Sequence, residues 1–154
     1  MSWRLVRVAS ERVRVRVPKI QGKQRPRSSR AGGVVRTYTP RQTEEAEALI
    51  RGEWLARVGT RWASWDGEVW VALRFTRELA RSNPATWEGR GDRGKPDIDN
   101  AAKLVLDALN GTAWRDDSQV TLLEASKMPR TRYGGGCAVE IRVTYLREEY
   151  EEER

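Results

Sequence analysis

Residues 11–17 alternate strictly between apolar and charged side chains, and this pattern restricts the fold more than any other in the chain. The segment ERVRVRV places Val13, Val15 and Val17 on one side and three arginines on the other. Because successive side chains of a β-strand point to opposite faces of its sheet, the alternation predicts a half-buried strand. That strand would present three guanidinium groups in a row on its outer face.

The remaining hydrophobic spacing predicts two helices and three further strands. The first helix begins with Thr39 as its N-cap and Pro40 at its first position, and it extends to about Val58. The second helix runs over residues 98–109. The further strands cover residues 67–76, 118–127 and 137–146. This order, β-α-β-α-β-β, predicts an α+β domain in which two helices cover one face of a mixed, roughly four-stranded sheet.

Glycine, proline and charged residues mark the segments between these elements. Residues 18–38 form a polar loop in which only residues 34–38 have strand character. We expect residues 80–96 to be mobile without a ligand. The glycine-rich residues 133–136 are placed to close a hairpin between the last two strands.

The length of 154 residues suits one domain. We expect that domain to span residues 1–146 and to be followed by a flexible acidic tail over residues 147–154. No apolar run approaches the about 18 residues that cross a bilayer, and the N-terminus alternates Arg and Val instead of resembling a signal peptide. We therefore expect a cytoplasmic protein that does not associate with membranes.

The available residue types restrict the chemistry. The chain has a single cysteine, Cys137, and no histidine. These counts exclude an internal disulfide, ordinary zinc sites and nucleophiles that histidine activates. Catalysis must then use carboxylates, Lys, Tyr or Ser, and clustered carboxylates favour a hard cation such as Mg²⁺ or Mn²⁺.

The net charge of +7 is concentrated near the N-terminus. Residues 1–36 contain eleven Lys and Arg but a single acidic residue, Glu11. This asymmetry favours a polyanionic partner, nucleic acid before membrane, because no amphipathic helix accompanies the charge. The alternative is that the charge only increases solubility.

Two pairs of aspartates bracket the second helix. Asp97 and Asp99 precede its apolar run, and Asp116 and Asp117 follow it. If the helix packs on the sheet, both pairs can meet in one cleft, where their mutual repulsion favours a divalent cation. The alternative is structural, since an aspartate at a helix start is commonly a cap and an Asp-Asp pair in a loop commonly forms a turn.

Lys103 lies four residues after Asp99 and four before Asp107, so the three side chains share one helix face. They can form an ordinary salt-bridge ladder. Alternatively, the ammonium group can neutralise negative charge that develops on a phosphoryl group beside a metal. The spacing does not decide between these roles.

The segment KPDIDNAAKLVLDALNG, followed by RDDSQV and Lys127, resembles the RusA-type Holliday junction resolvases, a family common in phages and prophages. The shared pattern is Asp-x-Asp-Asn, a lysine four residues after the second aspartate, Asp-Ala-Leu, and Asp-Asp-x-Gln-Val before a strand that ends in lysine. GKQRPR and YTP, at residues 22–27 and 38–40, are similar to the weaker N-terminal pattern of phage members.

The resemblance implies a RusA-like fold and a Mg²⁺-dependent endonuclease, with Mn²⁺ as a substitute. It also implies a homodimer that makes paired symmetric nicks in four-way DNA junctions, in a bacterial host cell and encoded by a phage or prophage. By position, Asp97, Asp99 and Asp117 match the family's essential acidic residues, and Lys103 matches its essential lysine. Asp116 matches a further aspartate, which we assign as a secondary metal ligand. The metal would activate water for attack on the phosphodiester.

The expected DNA contacts are basic and come mostly from the N-terminal segment. Trp87, in the loop before the acidic motif, is a candidate wedge between DNA bases, with simple packing as the alternative. Two other functions remain open: the same chemistry on flaps or replication forks, and a non-catalytic DNA-binding protein with structural aspartates. The expected DNA contacts are Arg12, Arg14, Arg16, Lys23, Arg25, Arg27, Arg30 and Lys127.

Overall fold

Two helices pack on a mixed four-stranded sheet, which confirms the predicted α+β class. The computed structural model describes residues 1–38, 40–132 and 135–152. Short 3₁₀ helices at Ala85–Trp87 and Asp117–Gln119 supplement the main elements. Those elements are β1 (Ser2–Val17), β2 (Arg27–Ala31), β3 (Val34–Tyr38), α1 (Arg41–Arg57), β4 (Val69–Thr76), α2 (Ile98–Leu109), β5 (Val120–Lys127) and β6 (Cys137–Glu151).

The strand order in the main sheet is β1-β6-β4-β5. β6 runs antiparallel to both of its neighbours, whereas β5 is parallel to β4 because α2 returns the chain between them. The predicted hairpin between the last two strands is therefore wrong, since β4 lies between β5 and β6. Tyr133 and Gly134, within the segment expected to form its turn, lie outside the described residues.

The core lies between one face of the sheet and the two helices. Val13 and Val15 of β1 are buried in a cluster with Ile50 and Trp54 of α1 and the apolar stripe of α2. The predicted alternation is confirmed, because the arginines between these valines are exposed. In the described part of the chain, no helix is long and apolar enough to span a membrane.

Strands β1 and β6 are both longer than predicted. β1 begins at Ser2, and β6 continues to Glu151, so that these two residues face each other at the end of a two-stranded ribbon. Residues 147–151, expected to belong to a flexible tail, are thus part of a strand. An ion pair of 3.2 Å between Arg4 and Glu149 shows the reason: the acidic end of the chain lies opposite a basic strand.

Part of the expected loop over residues 18–38 forms a hairpin. β2 and β3 pair antiparallel around Gly32 and Gly33, whose φ angles of 57° and 80° suit a tight two-residue turn. After it, α1 begins at Arg41 with Pro40 in the N-cap position instead of the first helical position. The predicted cap Thr39 lies outside the described residues.

The segment over residues 80–96, expected to be mobile, is tied to its surroundings. Arg77 forms a bidentate ion pair with Asp92, whose side chain is almost fully buried. The backbone N–H of Gly89 donates to the carbonyl of Arg130 at 2.9 Å. These contacts hold the segment beside the start of α2.

Candidate active site

Asp97 and Asp99 stand at the exposed start of α2. Asp97 occupies the N-cap position, but its side chain makes no capping hydrogen bond. Its carboxylate instead accepts a hydrogen bond of 3.0 Å from the Nζ of Lys95. Capping, the structural alternative for this residue, is therefore not how the carboxylate of Asp97 is used.

Asp117 lies in a different electrostatic setting, beside the outer surface of α2. The indole Nε1 of Trp114, which is fully buried, donates a hydrogen bond of 2.8 Å to its Oδ1. Burial raises the pKa of Asp117, the negative charges of Asp107 and Asp116 raise it further, and the Trp114 hydrogen bond and the Lys103 ammonium oppose the rise. Negative charge is thus concentrated here, and a bound cation would relieve it.

Asp116 orders the turn that presents Asp117. Its carboxylate accepts hydrogen bonds from the backbone N–H of Ser118 at 3.1 Å and from the Ser118 hydroxyl, which lower the pKa of Asp116. Gln119 completes a capping box by accepting from the backbone N–H of Asp116 at 2.7 Å. The Gln119 side chain also donates to the carbonyls of Trp65 and Gly67, so it anchors the turn.

Lys103 is exposed on α2 and forms no ion pair within the described residues. The salt-bridge ladder, one of the two roles left open for Lys103, does not form among the described residues, and Asp107 pairs with Lys23 at 3.0 Å instead. Lys103 nevertheless lies close enough to Asp117 to stabilise its ionised form. Its ammonium group is therefore available to an incoming phosphate.

The two aspartate pairs do not gather into one cluster. Over residues 1–38, 40–132 and 135–152, no three acidic or cysteine side chains stand close enough to share a metal ion. Asp117 nevertheless lies within electrostatic range of Lys103, one helical turn after Asp99, so the turn that follows α2 folds back along the helix. The donors still fit Mg²⁺ chemically, since all are carboxylates, Asp97 and Asp99 are exposed, and the charge around Asp117 favours a cation.

Lys127 and Lys23, two of the expected DNA contacts, are engaged within the protein. The Nζ of Lys127 donates to the carbonyl of Pro96 at 3.0 Å and to that of Gly94. It thereby holds the segment that precedes Asp97 against the end of β5. The structure thus uses Lys127 to position this segment.

Lys23 connects the loop after β1 to both helices. It forms ion pairs with Glu47 at 2.6 Å and Asp107 at 3.0 Å, and all three side chains are largely buried. Burial alone would lower the pKa of Lys23, but its hydrogen bonds to the two carboxylates raise it above the usual value. Its charge is therefore neutralised locally and is not presented to a ligand.

The other expected DNA contacts lie on the surface. Arg12, Arg16, Arg25 and Arg30 are exposed, and Arg14 is exposed but paired with Glu140 at 2.8 Å. The side chain of Arg27 lies outside what the structure describes.

Trp87, the candidate wedge, is 43% exposed. It borders an open cavity of about 590 Å³ that Arg90, Arg93 and Arg130 also line. The setting is aromatic and basic, as a wedge requires.

Two residues of the site were missed as functional candidates. Trp114 is not among the site residues predicted from the sequence, and Asp107 enters those predictions only through the ladder with Lys103. The one available signal was spacing, since Trp114 precedes Asp117 by three residues. Nothing in the sequence reveals that the indole points at that carboxylate.

One helix of this basic α+β domain carries exposed carboxylates and a lysine that forms no ion pair among the described residues. These are features of an enzyme that acts on phosphate esters. The family model described as Endodeoxyribonuclease RusA matches residues 18–144, which include both aspartate pairs and Lys103. The chain therefore belongs to the RusA endodeoxyribonuclease family, which resolves Holliday junctions by hydrolysing phosphodiester bonds. No curated protein matches the chain.

Proposed function

We propose that this chain is a Mg²⁺-dependent, structure-specific endodeoxyribonuclease that cuts four-way junctions by paired symmetric nicks. The observation that carries the proposal is the ammonium of Lys103, which has no ion-pair partner among the described residues, lies one helical turn from Asp99 and is within electrostatic range of Asp117. Its position beside these carboxylates suits it to contact a phosphate bound there.

Asp97, Asp99 and Asp117 would hold one or two Mg²⁺ ions, with Mn²⁺ as a substitute. When bound, the metal supplies Lewis acidity that activates a water and stabilises the leaving 3′ oxygen. Asp116 contributes chiefly by shaping the turn that presents Asp117. Trp114 fixes the orientation of the Asp117 carboxylate through its indole N–H.

Lys103 contacts the non-bridging oxygens of the scissile phosphate and neutralises the charge that they gain in the transition state. Removal of such a group commonly costs about 10²–10³ in rate. Because the contribution is greatest in the transition state, loss of Lys103 lowers the cleavage rate more than the DNA affinity.

Exposed arginines provide the phosphate contacts, and affinity therefore falls steeply with salt. Arg25 and Arg30 lie in or beside the β2–β3 hairpin, whereas Arg12, Arg14 and Arg16 lie on the main sheet. A two-fold homodimer presents two active sites to the junction, which explains cuts in opposing strands. The natural location of this activity is the cytoplasm of a bacterial host.

Cleavage of a matched substrate panel tests the proposal. Labelled four-way junction, flap, fork and linear duplex, all with the same central sequence, are incubated with the protein and Mg²⁺ under single-turnover conditions. The expected result is fastest cleavage of the four-way junction, with nicks at symmetric positions in two opposing strands. Preferential cleavage of the flap or the fork would overturn the junction preference, and an intact panel would overturn the nuclease function.

A further inference from the structure

The main sheet has an open face on the side opposite the helices. Val13 and Val15 point toward the helices, so the alternating arginines of β1 point away from them. The strand register extends this arrangement to neighbouring strands, because Arg142 of β6 lies directly opposite Arg12. Arg74 of β4 lies opposite Glu140 and therefore on the same face. We call this surface the arginine face, and its members are Arg12, Arg14, Arg16, Arg74 and Arg142.

The arginine face has more positive than negative charge. Its acidic residues are Glu140, which pairs with Arg14 at 2.8 Å, and Glu124 of β5. Among the described residues, Arg12, Arg74 and Arg142 form no ion pair. These three side chains instead border one shallow cavity of about 370 Å³.

Unpaired guanidinium groups at this spacing favour an anionic ligand. Like charges directly opposite each other on an antiparallel pair, as in Arg12 and Arg142, destabilise the sheet. A phosphate between them relieves this repulsion, and the planar guanidinium group matches two phosphate oxygens at once. The arginines lie in rows on neighbouring strands. This arrangement suits an extended nucleic-acid backbone with regularly spaced phosphates better than it suits a small anion.

The arginine face lies away from the candidate active site. Asp99 and Lys103 are exposed on α2, which packs on the other side of the sheet. The sheet and the core beneath α2 therefore separate the two surfaces. A straight duplex at the start of α2 cannot also lie across the arginine face.

We propose that the arginine face binds the phosphate backbone of a DNA segment other than the one being cut. This inference deepens the proposed junction nuclease function and rests on it for the identity of the ligand. On a branched substrate, one protomer then contacts two separate segments, one on each side of its sheet. Contact with DNA on both sides of the sheet would favour the binding of branched DNA over linear duplex without base-specific contacts.

The test compares two variants that remove equal charge. Arg74→Gln/Arg142→Gln alters the arginine face, and Arg57→Gln/Arg61→Gln lowers the net charge equally at the end of α1 and beyond it. Binding of a fluorescent four-way junction is measured in EDTA across a salt series. The arginine-face variant is expected to lower the slope of log K against log salt by about 0.9 for each lost phosphate contact, whereas the control retains it. Equal slopes and affinities in the two variants would overturn the proposal.

Hydroxyl-radical footprinting adds a spatial readout. The wild type is expected to protect a backbone patch away from the cut phosphates, and the arginine-face variant to lose that patch alone. Arg12→Gln/Arg16→Gln is tested in parallel, so that the result does not depend on the folding of one variant. Absence of the second patch in the wild type contradicts the inference. Cleavage by the wild type is assayed separately, so that failure of the nuclease function and failure of this binding surface are distinguishable.

Discussion

Three lysines near the candidate site differ in what their ammonium groups contact. Lys103 is free of ion pairs in the described structure, Lys23 contacts two carboxylates, and Lys127 contacts two backbone carbonyls. The family resemblance implied a role for Lys103, whereas its spacing on α2 left that role open, and nothing in the sequence revealed the contacts that Lys23 and Lys127 make within the protein. The partner of a long, flexible side chain depends on tertiary packing, and the number of charges in a sequence segment carries no information about that packing.

Lys127→Met is expected to slow cleavage about tenfold while leaving junction affinity unchanged, because groups that support a site typically contribute 10- to 100-fold to metal affinity or activity. The methionine retains the bulk but releases the carbonyls of Gly94 and Pro96, so the segment before Asp97 loosens. Single-turnover rates across a Mg²⁺ series and a salt titration of binding measure the two effects. Lys19→Met, at an exposed lysine, is the control. A salt slope lower by about one, with an unchanged rate, would instead make Lys127 a phosphate contact.

Lys23→Met is expected to lower the free energy of unfolding by about 1–3 kcal/mol, because it leaves two partly buried carboxylates without a counter-charge. Glu47 and Asp107 would then face each other across the gap between α1 and α2. Urea denaturation followed by circular dichroism measures the change, again beside Lys19→Met. Unchanged stability together with a reduced salt slope of junction binding would show that Lys23 serves the DNA.

Among the elements, α2 was predicted with its observed bounds of Ile98–Leu109. Its apolar stripe is unbroken, and Asn110 and Gly111 end it, with Gly111 at a φ of 76°. The strand interiors were also predicted, but the ends of β1 and β6 were not. Where a strand ends depends on how far its neighbouring strand extends, and that neighbour lies in a distant part of the sequence.

The β2–β3 hairpin and the indole of Trp114 show a different limit. The strand character of residues 34–38 was predicted, but residues 27–31 are mostly polar and do not alternate, so no buried face marked them as the partner strand. Trp114 is fully buried and thus resembles any core tryptophan in sequence, yet its N–H reaches Asp117. Aspartates that bracket a helix were identified from the sequence, but the position of Asp117 alongside Lys103 and Asp107 followed only from the packed fold.

For the whole molecule, the order of elements was predicted and the strand order was not. β4 can pair along both of its edges. Because α2 returns the chain, β5 pairs in parallel with one edge of β4, and β6 pairs with the other edge. This arrangement gives the sheet one face covered by helices and one arginine-rich face. A sequence pattern specifies which side chains share a face, whereas it does not specify which strands are neighbours.

We expect the protein to be a homodimer at micromolar concentration, because two symmetric nicks in one junction require two active sites. Size-exclusion chromatography with light scattering gives the mass directly, and addition of junction DNA shows whether the dimer persists on its substrate. A protein that remains monomeric, free and bound, contradicts the expected symmetry.

Metal-dependent catalysis by the aspartates is tested by cleavage of a labelled synthetic four-way junction by the wild type and by Asp99→Asn, each with Mg²⁺ or EDTA. Asp99 is exposed and unpaired within the described structure, so its amide variant should fold normally. We expect paired symmetric nicks that require both the metal and the Asp99 carboxylate. Junction binding without nicks, equal in both proteins and indifferent to Mg²⁺, would show that the aspartates are structural.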